Sequence, residues 1–229
     1  MRRPRGILLW SRTLEAGSAS PELWRLDASE LSRLGRLPAE ADRLRFVTAR
    51  LLLRGACRIQ LGRRAGGVRL RETSGPAGRG KPRLEGPGLD APGAPGWDVS
   101  ISHSGDAVLV GLAAAPIGVD LQPLADAPRV RAVRVFTDRE ARWLRTHRGD
   151  YAALRLWTAK EALLKAKGTG FAANPRGGEN DVFESGAAIA CFAPLPGLAA
   201  SVALLAAVPV EWPAGLTPLA GPAPANRPR

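Results

Sequence analysis

Aromatic side chains make up only 5% of the 229 residues, with a single tyrosine. A groove for single-stranded nucleic acid wants stacking rings beside its positive charge, so this scarcity argues against one. The chain has two cysteines, Cys57 and Cys191, and two histidines, His103 and His147. That set cannot build a zinc site of the usual spacing, and both thiols are expected in the apolar interior. No run of about 18 apolar residues occurs, so no membrane-spanning helix is expected. The basic start MRRPRGILLW is followed by too few apolar residues for a signal peptide, and the expected location is the cytoplasm.

Lysine is also scarce. Four lysines, Lys81, Lys160, Lys165 and Lys167, stand against 29 arginines. The Ala/Gly/Pro/Arg-rich composition is that of a GC-rich genome, in which arginine serves wherever a positive charge suffices. The surviving lysines therefore point to places where shape or acid–base behaviour matters.

What is abundant is positive charge, with a net +12, and enough apolar material, 45%, to bury a core. Residues 1–112 carry 19 basic and 11 acidic groups, so the charge is concentrated in the first half. An anionic partner is expected: nucleic acid, a phosphate-bearing cofactor or an acidic protein.

Apolar periodicity predicts a strand at Gly6–Trp10, a weak helix at Ser29–Leu37, and an amphipathic helix from Asp42 to about Leu61 with Leu44, Val47, Leu51 and Ile59 on one face. Arg43, Arg50 and Arg54 share a stripe of that helix, which reads either as a solvated face or as an anion site. Further strands are expected at Val68–Arg71, Trp97–Ser102, Ala107–Ala113 and Ile117–Leu121, with His103–Asp106 forming a turn. Thr137-Asp-Arg-Glu140 is a capping box opening a short helix. Asp150 is expected to cap the longest helix, Tyr151–Lys167, which Gly168 stops. Strand candidates follow at 181–183, 188–192 and 201–206. These elements make an α+β chain divided into residues 1–113, residues 114–212, and a Pro-rich, disordered tail at 213–229.

Three pieces carry chemistry. In the long helix Trp157, Glu161 and Lys165 recur every four residues and lie on one face. Asp120 ends an apolar strand, a common way to present a carboxylate to a hard cation. Ser102 and His103 lie where another strand runs out.

Together GRGKP (78–82), SISHSG (100–105), IGVDLQ (117–122) and WTAKEALLKAKG (157–168), in this order, resemble 4′-phosphopantetheinyl transferases of the surfactin-synthetase-activating type. The resemblance covers about residues 30–206. It implies two similar α/β halves in a pseudo-twofold arrangement, with the active site between them. It also implies transfer of the phosphopantetheine arm of coenzyme A to a serine of an acyl- or peptidyl-carrier protein, releasing adenosine 3′,5′-bisphosphate. Carriers of fatty-acid, polyketide or non-ribosomal peptide assembly are the implied partners of a monomer.

The resemblance further implies that Asp120 and Glu161 hold Mg²⁺, with Mn²⁺ as an alternative. Glu161 would take the proton of the carrier serine, and Lys165 would neutralise or protonate the leaving phosphate. Lys160 would orient the pyrophosphate, and Arg43, Arg50, Lys81, Ser102, His103 and Lys165 would bind coenzyme A. The family's third acidic ligand often lies two residues after the first, where this chain has Gln122, a weaker ligand for a hard cation. Two other readings stay open: a relative that binds coenzyme A without transfer, and a non-enzymatic basic protein that binds nucleic acid.

Overall fold

The computed structural model describes residues 6–15, 26–71, 73–75, 78–87, 89, 96–132, 134–170, 174–205 and 215–219. In chain order these form β1 (Gly6–Arg12), α1 (Ala28–Gly35), α2 (Glu40–Leu61), β2 (Arg69–Arg71), β3 (Ser74–Gly75), β4 (Gly78–Arg79), β5 (Arg83–Glu85), β6 (Asp98–Ser104), β7 (Ala107–Ala113) and β8 (Ile117–Pro123). They continue with α3 (Ala127–Ala132), α4 (Asp138–Thr146), α5 (Asp150–Lys167), β9 (Ala188–Phe192), β10 (Leu198–Leu204) and β11 (Thr217–Pro218). The architecture is α+β. One antiparallel sheet has the order β1-β7-β6 and a second the order β11-β9-β10-β8. Two short hairpins, β2–β5 and β3–β4, lie outside them.

Three apolar layers hold these elements. Helix α2 sets Ala49, Leu53, Ala56 and Cys57, spaced as one helical face, against Val99, Val108, Val110 and Leu112 of the first sheet. The other face of that sheet packs Leu109 against Val119, Leu121, Ala200 and Val202 of the second sheet. Helix α5 then covers the second sheet, burying Ala159, Ala162, Leu163 and Ala166 with Ala199 and Ala203. Burial of each larger aliphatic side chain here contributes about 1.5–3 kcal/mol.

Several expected elements differ. Strand β6 runs on to Ser104, so His103 sits in a strand and the turn is confined to Gly105–Asp106. Ile59, expected on the apolar face of α2, is 64% exposed, because the face that docks is set by Ala49, Leu53 and Ala56. Residues 181–183 form turns instead of a strand, since their backbone is tied to α4. Helix α5 starts at Asp150 itself, with Gly149 before it and no side-chain cap. Thr217–Pro218, within the tail expected to be disordered, pairs with β9, and the rest of that expectation lies outside the described residues except at 215–219. Both cysteines are buried as expected. No helix among the described residues is long and apolar enough to cross a membrane.

Candidate functional site

The site forms where the two sheets meet. Strand β8 is an edge strand of the second sheet, and an edge leaves backbone N–H groups unpaired. Here they are taken up by side chains of β6. Ile117 N–H donates to Asp98 Oδ2 at 2.7 Å, Val119 N–H to Ser100 Oγ at 3.0 Å, and Leu121 N–H to Ser102 Oγ at 3.3 Å. One residue further, Ser104 Oγ donates to Gln122 Oε1 at 3.4 Å. The strand period of two puts Asp98, Ser100, Ser102 and Ser104 on one face of β6, so one alternating run joins the sheets.

Alternation along β8 also sends Ile117, Val119 and Leu121 into the core between the sheets and leaves Gly118 and Asp120 for α5. A Cβ built on Gly118 would lie 1.8 Å from the Ala162 carbonyl oxygen. Only glycine permits that approach of strand and helix. It brings the face of α5 bearing Glu161 and Lys165 over Asp120.

Lys165 Nζ donates to Asp120 Oδ1 at 2.6 Å, to the Val119 carbonyl at 3.2 Å and to Ser102 Oγ at 3.3 Å. Ser102 Oγ donates to the same Asp120 Oδ1 at 2.9 Å. The other carboxylate oxygen, Asp120 Oδ2, is buried and has no hydrogen-bond partner among the described residues. Glu161 lies close by. Burial, then the Asp120 charge, push its carboxyl up to about 7, with Lys165 partly opposing them. Two carboxylates that repel each other, one with an unpaired buried oxygen, form a set that a hard divalent cation would satisfy. No group of three or more His, Cys, Asp or Glu side chains gathers at one place among the described residues. The position that could extend the pair holds Gln122, whose carbonyl faces Ser104.

A profile of the 4′-phosphopantetheinyl transferase superfamily matches residues 116–194, which include β8 and α5. A putative 4′-phosphopantetheinyl transferase of Synechocystis sp. is 36% identical over 165 residues, covering 69% of this chain and 61% of that protein. The 4′-phosphopantetheinyl transferase HetI of Nostoc sp. is 34% identical over 154 residues, covering 64% of this chain and 61% of its own length. Across these matched segments the chain is similar to the 4′-phosphopantetheinyl transferase superfamily. It spans about 61% of the length of these two transferases.

The remaining residues that the resemblance to these transferases singles out are dispersed around this centre. Lys81 pairs with Asp98 and donates to the Ala166 carbonyl at 3.1 Å, so it bridges β6 and the end of α5. Burial lowers its pKa, and the Asp98 pairing opposes that. Arg50 is buried, with Nε 3.0 Å from Glu30 Oε1 and its guanidinium 4.4 Å from the centre of the Phe46 ring. Arg54 reaches the same Glu30 at 2.7 Å, so these two arginines are anchored to α1. Arg43 is spent on the Leu37 and Pro38 carbonyls, both at 2.8 Å.

Arg33, Phe46, Arg50, Gly80, Ile101 and His103 line a cleft of about 420 Å³. Desolvation, then Arg45 and Lys165, lower the pKa of His103, which keeps its ring neutral at pH 7. Lys160 is not part of this surface. It is fully buried on another side of α5, against Glu140. Burial lowers its pKa and raises that of Glu140, and each charge offsets part of the other's shift.

Sequence reasoning missed the joining role of Asp98 and Ser100, although a polar residue at every second position from 98 to 104 was a visible signal. It also missed Glu30. Asp27-Ala-Ser-Glu30 is a capping box at the start of α1, and the same carboxylate holds Arg50 and Arg54.

Proposed function

We infer that the protein transfers the 4′-phosphopantetheine arm of coenzyme A to a serine of an apo acyl- or peptidyl-carrier protein. The observation that carries this reading is the Asp120–Glu161 pair, with its unpaired buried oxygen, beside the Lys165 ammonium. The two carboxylates would hold Mg²⁺, or Mn²⁺ in its place, which when bound supplies positive charge to the pyrophosphate oxygens. Gln122 is one neutral donor beside them.

The chemistry then belongs to the chain's own side chains. Glu161 takes the proton of the carrier serine. The serine oxygen forms a bond to the phosphorus that bears pantetheine. The bond from that phosphorus to the bridging oxygen breaks, and adenosine 3′,5′-bisphosphate leaves. Lys165 neutralises the leaving phosphate or gives it a proton. Arginine could not donate it, since its pKa lies above about 12. The cleft lined by Arg50 and His103 takes the phosphates and adenosine end of coenzyme A. Lys81 and Ser102 align its walls, and Arg43 supports the cleft from outside.

In this reading residues 1–113 supply most coenzyme A contacts and residues 114–212 the metal and proton-transfer groups, in two halves related by a pseudo-twofold axis. The protein works as a cytoplasmic monomer of the surfactin-synthetase-activating type, and its basic first half suits both the three phosphates of coenzyme A and an acidic carrier. The test is incubation with coenzyme A, Mg²⁺ and a panel of apo-carrier proteins drawn from fatty-acid, polyketide and non-ribosomal peptide assembly, each then weighed by mass spectrometry. A phosphopantetheine-sized gain on one carrier supports the reading. No gain on any carrier, with coenzyme A still bound, favours the binding-only alternative that Gln122 suggests.

A further inference from the structure

Lys160 lies beside Glu161 in sequence, yet its side chain is turned fully into the protein. Its Nζ donates to Glu140 Oε1 at 3.0 Å, Glu140 Oε2 at 2.9 Å and the Asn180 carbonyl at 2.8 Å, so its three donors are all used. Glu140 is equally committed. Its Oε2 accepts from Thr137 N–H at 2.9 Å, closing the capping box of α4, and its Oε1 accepts from Val182 N–H at 2.8 Å. Thr137 Oγ1 donates to Asp181, and Lys167 Nζ donates to Asn180 Oδ1 at 3.0 Å. Asn180 Nδ2 reaches back to the Asn174 carbonyl at 2.8 Å. One buried ion pair thus joins the start of α4, the segment 174–182 and the inner side of α5.

Successive residues of an α-helix are about 100° apart, so fixing Lys160 also fixes where its neighbour Glu161 points. Gly118 sets how closely α5 approaches β8. That contact of glycine with backbone carries little directional information, and α5 needs a second constraint to choose its rotation. Its docking face carries the small side chains Ala159, Ala162 and Ala166 beside Leu163, and apolar burial has no directional preference of its own. A buried ammonium whose acceptors are the Glu140 carboxylate and the Asn180 carbonyl is satisfied in only one rotation.

We propose that the Lys160–Glu140 ion pair is a positioning device that sets the rotation of α5 so that Glu161 and Lys165 face Asp120, and that Lys160 makes no contact with coenzyme A. This rests on the transferase reading for its consequence and on the buried geometry for its substance. Removing one partner strands the other's charge, whereas removing both strands no charge and leaves only the Thr137 and Val182 N–H groups and the Asn180 carbonyl without their partners.

The experiment compares wild type, Lys160→Met, Glu140→Leu and the double variant Lys160→Met/Glu140→Leu. It measures kcat and KM for coenzyme A, and amide hydrogen exchange across residues 156–167. Each single variant should lose roughly 10–100-fold in kcat with KM for coenzyme A changed less than twofold, and α5 amides should exchange faster. The double variant, which strands no charge but frees the Thr137 and Val182 N–H groups, should recover part of the kcat and part of the protection relative to either single variant. A phosphate-binding lysine behaves differently: KM rises, and removing Glu140 restores nothing. That result, or protection unchanged in Lys160→Met, overturns the proposal. Should the single variants fail to fold, the double variant against wild type still decides it, since raised KM in a folded double variant means that Lys160 binds substrate. Absence of transfer in wild type would sink the transferase reading alone, and the exchange pattern across the four proteins would still judge the ion pair.

Discussion

Replacing Glu161 by glutamine should make the metal-free protein more stable, and only at neutral to alkaline pH. The ordinary carboxyl value of 4.5 is raised to about 7 in the fold, chiefly by burial and then by Asp120. The folded state therefore binds this proton more tightly than the unfolded chain does. Stability falls as pH rises from about 4.5 to about 7, and stays at its lower level above that range. The full difference corresponds to about 3 kcal/mol at pH 8 and less than about 1 kcal/mol at pH 5. Glutamine keeps the shape and removes the charge, so Glu161→Gln should regain that amount. For a chain of this size about 3 kcal/mol is roughly 6–12 °C in melting temperature.

The assay is thermal unfolding of both proteins in chelator at pH 5 and pH 8, then at pH 8 with saturating Mg²⁺. The variant should melt clearly higher at pH 8 and nearly level with wild type at pH 5. Added cation should raise wild type and leave the variant almost unmoved. An equal gain at both pH values, or none at pH 8, would refute the idea that burial and the Asp120 charge destabilise the Glu161 carboxylate.

Two further changes test the frame around that pair. Gly118→Ala drives a methyl group into the Ala162 carbonyl and should cost about 3 kcal/mol or more, read as a lower melting temperature with loss of transfer activity. A variant that melts like wild type would mean that α5 does not approach β8 so closely. Lys165→Arg keeps the charge beside Asp120 but cannot give up a proton, so kcat should fall at least about tenfold while coenzyme A binding, measured by calorimetry, stays within a few-fold. Unchanged kcat would leave Lys165 with a purely electrostatic part.

The elements that build the site were legible because their signals are local. An apolar run ending in a carboxylate marked β8, and a long period-3.6 segment stopped by Gly168 marked α5. The spacing of Glu161 and Lys165 placed them on one helix face without any tertiary information. Thr137 and Glu140 announced the start of α4, and the capping box is present there. The turn around 181–183 was misread as a strand because its apolar Val182 and Phe183 answer to packing against α4 and not to a sheet.

Lysine scarcity pointed at the right helix, and it could not separate the lysines by role. Lys165 reaches Asp120 while Lys160, five residues earlier, ends in a sealed ion pair with Glu140. Which way each points depends on the rotation of α5, and that rotation is decided by partners 20 and 45 residues away in the chain. The same holds for the arginine stripe of α2, where α1 brings Glu30 to Arg50 and Arg54. By itself the sequence determined the α+β class, the main helices and strands, and the residue types able to handle a pyrophosphate. Only the tertiary structure decided which charges face the cleft and which are neutralised inside. Local periodicity assigns a side chain to a face, but the face's environment is set by whatever segment packs against it.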